Sequence, residues 1–301
     1  MKGAQKIRTI IFPNTVKEAR GGAFQENKCL RSAILNEGLE RLEGGDGNDP
    51  HYGVFTATHI KKIALPPALK TLEASTFLGC KELKCVTFRE GCRPKEFGLC
   101  CFGGTGIEEI TVPSSVITIR ELAFGGCWAL KRVSFQGGSE LKTIEERCFS
   151  RAGIEEIWIP ETVETIGDNA FEGCDSLGTV HVENGCEVNL FGTGISDATK
   201  VVLSRETVAW GVPLQRLREL KEVVVPEGTE RIGNYWFWGS DIERVTVAAS
   251  VREIGVHAFR SCKNLKHITF AEGSQLEKIG AGSFQSTGIE RVVVPKGVND
   301  M

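Results

Sequence analysis

The stretch IEEITVPSSVITIRELAF (107–124) sets Ile107, Ile110, Val112, Val116, Ile119 and Phe124 at offsets that return 47 residues later in IEEIWIPETVETIGDNAF (154–171). There the same places hold Ile154, Ile157, Ile159, Val163, Ile166 and Phe171, while the polar residues between them change. A pattern Leu-x-x-Ile-x-Val, rich in β-branched residues and closed by Pro or Gly, predicts a strand of about four residues whose alternate side chains enter a core. Starting each unit at its first apolar residue gives Ile7, Leu30, Ile60, Leu83, Ile107, Leu130, Ile154, Leu177, Ile195, Leu220, Ile242, Leu265 and Ile289. The steps are mostly 23 or 24 residues, and Pro-type units (IEEIWIPETV) alternate with units carrying an aromatic and a longer loop (LKRVSFQGGSELKTI).

A unit of this length cannot bury its own apolar stripe, so neighbours must stack, and the expected architecture is a solenoid of parallel strands. A phenylalanine closes most units (Phe24, Phe55, Phe77, Phe102, Phe124, Phe149, Phe171, Phe191, Phe237, Phe259 and Phe284), preceded in most by a small residue such as Ala123, Cys148 or Ala170. These rings are expected to stack inside the coil. The chain is expected to form a single domain, 1–301, with an inserted loop at 43–53 (EGGDGNDPHYG) and an irregular repeat at 195–220 that includes a short helix in RETVAWGVPLQRLREL. Trp236 and Trp238 are expected to pack against that irregular coil through Trp210.

The motif Leu-x-x-Ile-x-Ile-Pro-x-x-Val-x-x-Ile-Gly-x-x-Ala-Phe-x-x-Cys-x-x-Leu, nearly intact from Ile154 to Leu177, resembles the BspA-type leucine-rich repeat, and the resemblance covers almost the whole chain in about twelve repeats. It implies a right-handed leucine-rich-repeat solenoid with a parallel β-sheet on one face and short irregular or 3₁₀ segments on the other. It also implies protein binding or adhesion, since members are often surface proteins of bacteria and protists.

Charge changes this picture little. With 36 basic and 39 acidic residues, net −3, nothing points to nucleic acid as a partner. No run of 18 apolar residues occurs, so membrane insertion is not expected, and the N-terminal residues lack a signal-peptide pattern. The expectation is a cytoplasmic location for a full-length chain and the cell surface for an exported fragment.

Eleven cysteines raise disulfides and zinc, but their spacing opposes both. Cys80, Cys127 and Cys174 fall 47 apart at one repeat position, with Cys262 there again, and Cys101 and Cys148 share another. Stacked coils separate by about 4.8 Å, so positions two coils apart stand roughly 10 Å apart, beyond disulfide reach, and these read as a ladder of small buried side chains. There is no Cys-x-x-Cys, P-loop, GxSxG or HExxH sequence. Asp46, Asp49 and His51 carry metal-ligating groups on the inserted loop, where solvated polar residues are the simpler reading. No cofactor, metal or catalytic set is expected.

What remains is the outward face of the strands. Its central column runs Ile11, Ile34, Ala64, Thr87, Thr111, Ser134, Trp158 and His181, then Val224, Thr246, Thr269 and Val293. Trp158 and His181 stand side by side in it, with Glu109, Arg132 and Glu156 in the adjacent column. Trp and Arg are enriched at binding hot spots. The candidate ligand-binding residues are therefore Trp158, His181, Arg132, Glu109, Glu156 and Thr111, and the expected activity is non-catalytic binding of a protein ligand. A section of a structural or adhesive surface array is the alternative, and end-to-end self-association through open solenoid ends is a further expectation.

Overall fold

The computed structural model describes residues 6–45, 52–182, 193–194, 200–202 and 221–301. They form coils of parallel strands grouped into two compact units, 1–155 with 165–176 and 156–164 with 177–301. The helix expected within 205–220, Phe191, Trp210 and the residues Asp46, Asp49 and His51 lie outside the described residues.

In the first unit the predicted strands pair in register: Glu109–Val112 with Arg132–Phe135, Lys62–Leu65 with Cys85–Phe88, and Thr9–Ile11 with Ser32–Ile34. In the strand Glu109–Val112 the burial alternates, with Ile110 and Val112 inside and Glu109 and Thr111 outside, as a period of two requires. A second, narrower parallel sheet follows the first turn of each coil. It stacks seven two-residue strands, from Glu18–Ala19 through Thr118–Ile119 to Thr165–Ile166. The second unit repeats both features. Its wide strands Glu156–Ile159, Thr179–Val182, Lys200–Val202, Glu222–Val224, Arg244–Val247 and His267–Phe270 pair in that order, and Arg231–Ile232, Glu253–Ile254 and Lys278–Ile279 form the narrow sheet.

The third side of each coil is a tight turn around the phenylalanine. Among the described residues it contains no 3₁₀ helix, because the residues two before and two after the ring take positive φ, Gly53 before Phe55 excepted. Ser75 (55°) and Gly79 (69°) flank Phe77, and His257 (55°) and Ser261 (62°) flank Phe259. A helix needs negative φ at each of these places. The reversal turns alternate amides outward along the stack: the Ser75, Phe77 and Gly79 N–H groups donate to Leu99, Cys101 and Gly103 carbonyls, each at 2.8 Å. The amides between them close turns inside the coil, as Leu78 does on Ser75 (3.1 Å) and Cys80 on Phe77 (3.1 Å). The buried backbone is thereby paired both within and between coils.

The rings stack as the sequence pattern predicts. Phe102, Phe124, Phe149 and Phe171 follow one another at 5.3 to 5.4 Å with planes within 14° of parallel. Phe237, Phe259 and Phe284 do the same in the second unit at 5.0 and 5.5 Å. All but Phe284 of these are fully buried, each contributing roughly 1.5 to 3 kcal/mol by removal from water.

The cysteine ladder is buried, as its spacing predicts, and its thiols are also hydrogen-bond donors. Cys80, Cys127, Cys174 and Cys262 donate to the carbonyls of Phe55, Phe102, Phe149 and Phe237, one coil back, at 3.0, 3.0, 3.0 and 2.8 Å. The coil between supplies a hydroxyl at this position in three cases, with Thr58, Thr105 and Ser240 at 3.3, 3.3 and 3.4 Å from the next thiol. The two-coil period of the sequence is in part this alternation of hydroxyl and thiol. Burial pushes the Cys80 and Cys127 thiols up to about 11, from an ordinary 9.0.

Three local expectations change. Residues 289–294 do not form the predicted strand. Val292 and Val293 are exposed, and beyond Lys278–Ile279 only an isolated bridge joins Lys278 to Asp300. Trp238 does not pack inward but is exposed, because it follows the ring on the outer arc of the turn; Trp236 alone is buried, edge-on to Phe237 at 5.6 Å. Within the repeat expected to be irregular, Lys200–Val202 is a strand paired on both sides.

Candidate functional site

The outward column is set by strand register. Thr111 lies opposite Ser134 in the first unit, and in the second Trp158, His181, Val202, Val224, Thr246 and Thr269 follow one another on consecutive strands. Val202 holds a register position between His181 and Val224 that reading the repeats missed, since KVVLS lacks the Pro or aromatic that closes its siblings.

Side chains directly opposite on neighbouring strands stand about 4.8 Å apart at their roots, so two flat rings there are pressed face to face. The Trp158 indole and His181 imidazole have centroids 3.8 Å apart and planes 1° from parallel. His181 Nε2 lies 3.8 Å from Glu156 Oε2, close enough for a charge interaction when the imidazole is protonated and too far for a hydrogen bond. Trp158 nevertheless stays 50% exposed, while His181 is mostly covered. The result is a rigid aromatic surface with a carboxylate at its side.

The other predicted residues form a separate group in the first unit. Arg132 Nη1 lies 3.4 Å from Glu109 Oε2 across the paired strands, with both side chains exposed, and Thr111 is exposed beside them. An ion pair this open contributes about 0 to 1 kcal/mol and is free to exchange partners. The structure thus brings Trp158, His181 and Glu156 together, and Glu109, Arg132 and Thr111 together.

The strands carrying Trp158 and His181 read EIWI and TVHV and offer no serine or cysteine nucleophile beside the imidazole. Among the described residues no three or more His, Cys, Asp or Glu side chains converge as a metal site, and no helix is long and apolar enough to cross a membrane.

One exposed aromatic residue, Trp128, escaped the sequence reading, and the group containing Trp238 reads there as packing inward. Trp128, 73% exposed, follows Cys127 at a place where the sibling units carry Lys81, Asp175 and Lys263. An indole at a position that is otherwise charged was the available signal. Tyr235 and Trp238 are both partly exposed on the turn side, 5.9 Å apart, with His257 5.3 Å from Tyr235. Their shared face shows only once the turn around Phe237 is known.

A stack of parallel-stranded coils with a flat, side-chain-studded face defines a repeat scaffold. The chain belongs to the BspA-type leucine-rich repeat family, whose model matches residues 51–178 and 215–301 in six copies. Among solved structures it is similar to a leucine-rich repeat protein from Bacteroides ovatus (22% identity, 95% of this chain and 78% of that one, TM-score 0.56). It also matches the pneumococcal vaccine antigen PcpA (17% identity, 100% and 85%, TM-score 0.47) and a leucine-rich cell surface protein from Faecalibacterium prausnitzii (17%, 88% and 88%, TM-score 0.39). The likeness to the Bacteroides protein is one of fold. No curated protein sequence matches the chain.

Proposed function

We propose that this protein is a non-catalytic interaction module that binds a protein ligand through the outward face of its wide sheet. The observation that carries the reading is the Trp158–His181 stack, an aromatic surface held rigid by register on a column otherwise made mostly of small or β-branched residues. A preordered aromatic side chain loses little conformational freedom on binding, which is why such residues dominate interface energetics. Glu156 beside it supplies a polar contact for orientation. Glu109, Arg132 and Thr111 form a second proposed contact group on the strands of the first unit.

The test is affinity capture from the source cell's lysate and surface fractions, comparing the wild type with a Trp158→Ala/His181→Ala variant whose folding is verified by circular dichroism. A protein held by the wild type and lost by the variant is the expected result. Equal capture by both would place binding elsewhere on the molecule.

A further inference from the structure

The loops that join the wide and narrow sheets are unequal in length, and this corrugates one edge of the first unit. The strand Lys62–Leu65 is followed by a short turn closed by the Leu69 N–H on the Pro66 carbonyl (3.2 Å). In the next coil the path from Arg89 to Lys95 is two residues longer before the narrow strand Glu96–Phe97 begins. An open groove of about 670 Å³ lies over the short turn, with Pro67 and Ala68 in its floor and Lys70, Arg93, Lys95 and Glu40 around it.

We propose that this groove receives an acidic segment of a partner polypeptide, with carboxylates against Lys70, Arg93 and Lys95 and an apolar side chain on Pro67 and Ala68. Three cations face two carboxylates here, Glu40 and the Glu140 that pairs with Lys95, which leaves one positive charge in excess on a chain whose net charge is −3, so the local sign opposes that of the molecule. Such a patch steers an anionic partner to one place on a surface that otherwise repels it. Among the described residues Arg93 has no ion-pair partner, and its guanidinium is shaped to grip a carboxylate with two hydrogen bonds. Lys70 is paired with Glu40 (2.5 Å) and Lys95 with Glu140 (2.9 Å), but all four side chains are well exposed. Exposed pairs of this kind are weak and exchange readily for an incoming carboxylate. The apolar floor favours a polypeptide over a sulfated glycan, which would leave Pro67 and Ala68 without a contact.

The groove belongs to the first unit and Trp158 to the second, and the two are tested separately. Fluorescence anisotropy of the full chain would be recorded with a labelled eight-residue peptide of glutamates around two central leucines, with a Lys-for-Glu peptide and a heparin oligosaccharide as comparisons. We expect saturable binding of the acidic peptide only, weakened by raising the salt, and weakened at least about tenfold by Arg93→Glu/Lys95→Glu. Both positions are exposed, and an unchanged melting transition would show that the variant is folded. Trp158→Ala is expected to bind the peptide like the wild type. Failure of the acidic peptide to bind, equal binding by the charge-reversed variant, or binding of the oligosaccharide without the peptide would each overturn the proposal.

Discussion

The indole of Trp158 and the imidazole of His181 lie flat against each other, 3.8 Å between centroids and with planes 1° from parallel, on strands paired in register. Their contact is a consequence of the sheet: one residue's slip in register would send one ring into the core and leave the other alone. It is also mostly at the surface, so it contributes more to the shape of the face than to the stability of the fold.

Removing either ring is therefore expected to be mild. Trp158→Ala and His181→Ala should each lower stability by about 1 kcal/mol or less, with a coupling energy of roughly 0.5 to 1.5 kcal/mol in a double-mutant cycle. Urea denaturation of the two single variants and the double variant measures the coupling, and additive losses would contradict the account.

The buried rings behave differently. Phe149 sits between Phe124 at 5.3 Å and Phe171 at 5.4 Å and is wholly inside. Phe149→Ala should cost about 3 to 5 kcal/mol, since neighbours fixed by stacking cannot collapse into the space. Equilibrium unfolding in urea reads this as a lowered midpoint.

The left-handed positions around each ring predict opposite effects for opposite substitutions. Gly126 (φ 70°) and Ser261 (φ 62°) occupy the same place, two residues after the phenylalanine, in different coils. A Cβ at Gly126 meets nothing closer than 3.9 Å, so Gly126→Ala should lose only the backbone term, about 1 to 2 kcal/mol. Ser261→Gly releases that strain and adds freedom to the unfolded chain, for a net gain of about 0.5 to 1 kcal/mol. Thermal melts of the two variants should move in opposite directions.

The thiol ladder makes stability sensitive to alkali. Burial raises the Cys80 and Cys127 thiols from 9.0 to about 11, so the folded chain keeps protons that the unfolded chain releases. The sign follows: the contribution is fully present below pH 9 and is lost as pH rises from 9 toward 11, at roughly 2 kcal/mol per thiol. Denaturation midpoints should fall over that range, and less steeply in Cys127→Ser. At pH 8 a thiol reagent should label the exposed Cys29 and Cys85 in the folded protein, and reach Cys80 and Cys127 only after denaturant is added.

Much of this molecule was legible in its sequence because a repeat states each structural requirement many times over. The strand Glu156–Ile159, the inward phenylalanines and the burial of Cys80, Cys127 and Cys174 all follow from offsets held through unit after unit. Even the neighbourhood of Trp158 and His181 could be read, because equal spacing along the chain becomes adjacency once coils stack. The parallel alignment of the two rings, the positive φ on either side of Phe259, the narrow second sheet and the joining of Lys200–Val202 to the wide sheet belong to the tertiary structure alone. Residue type constrains φ weakly when Arg, His, Ser and Gly all serve at one turn position, and a two-residue strand has no periodicity to detect. Those features arise where hydrogen bonds between coils, rather than the preferences of a single segment, settle the backbone.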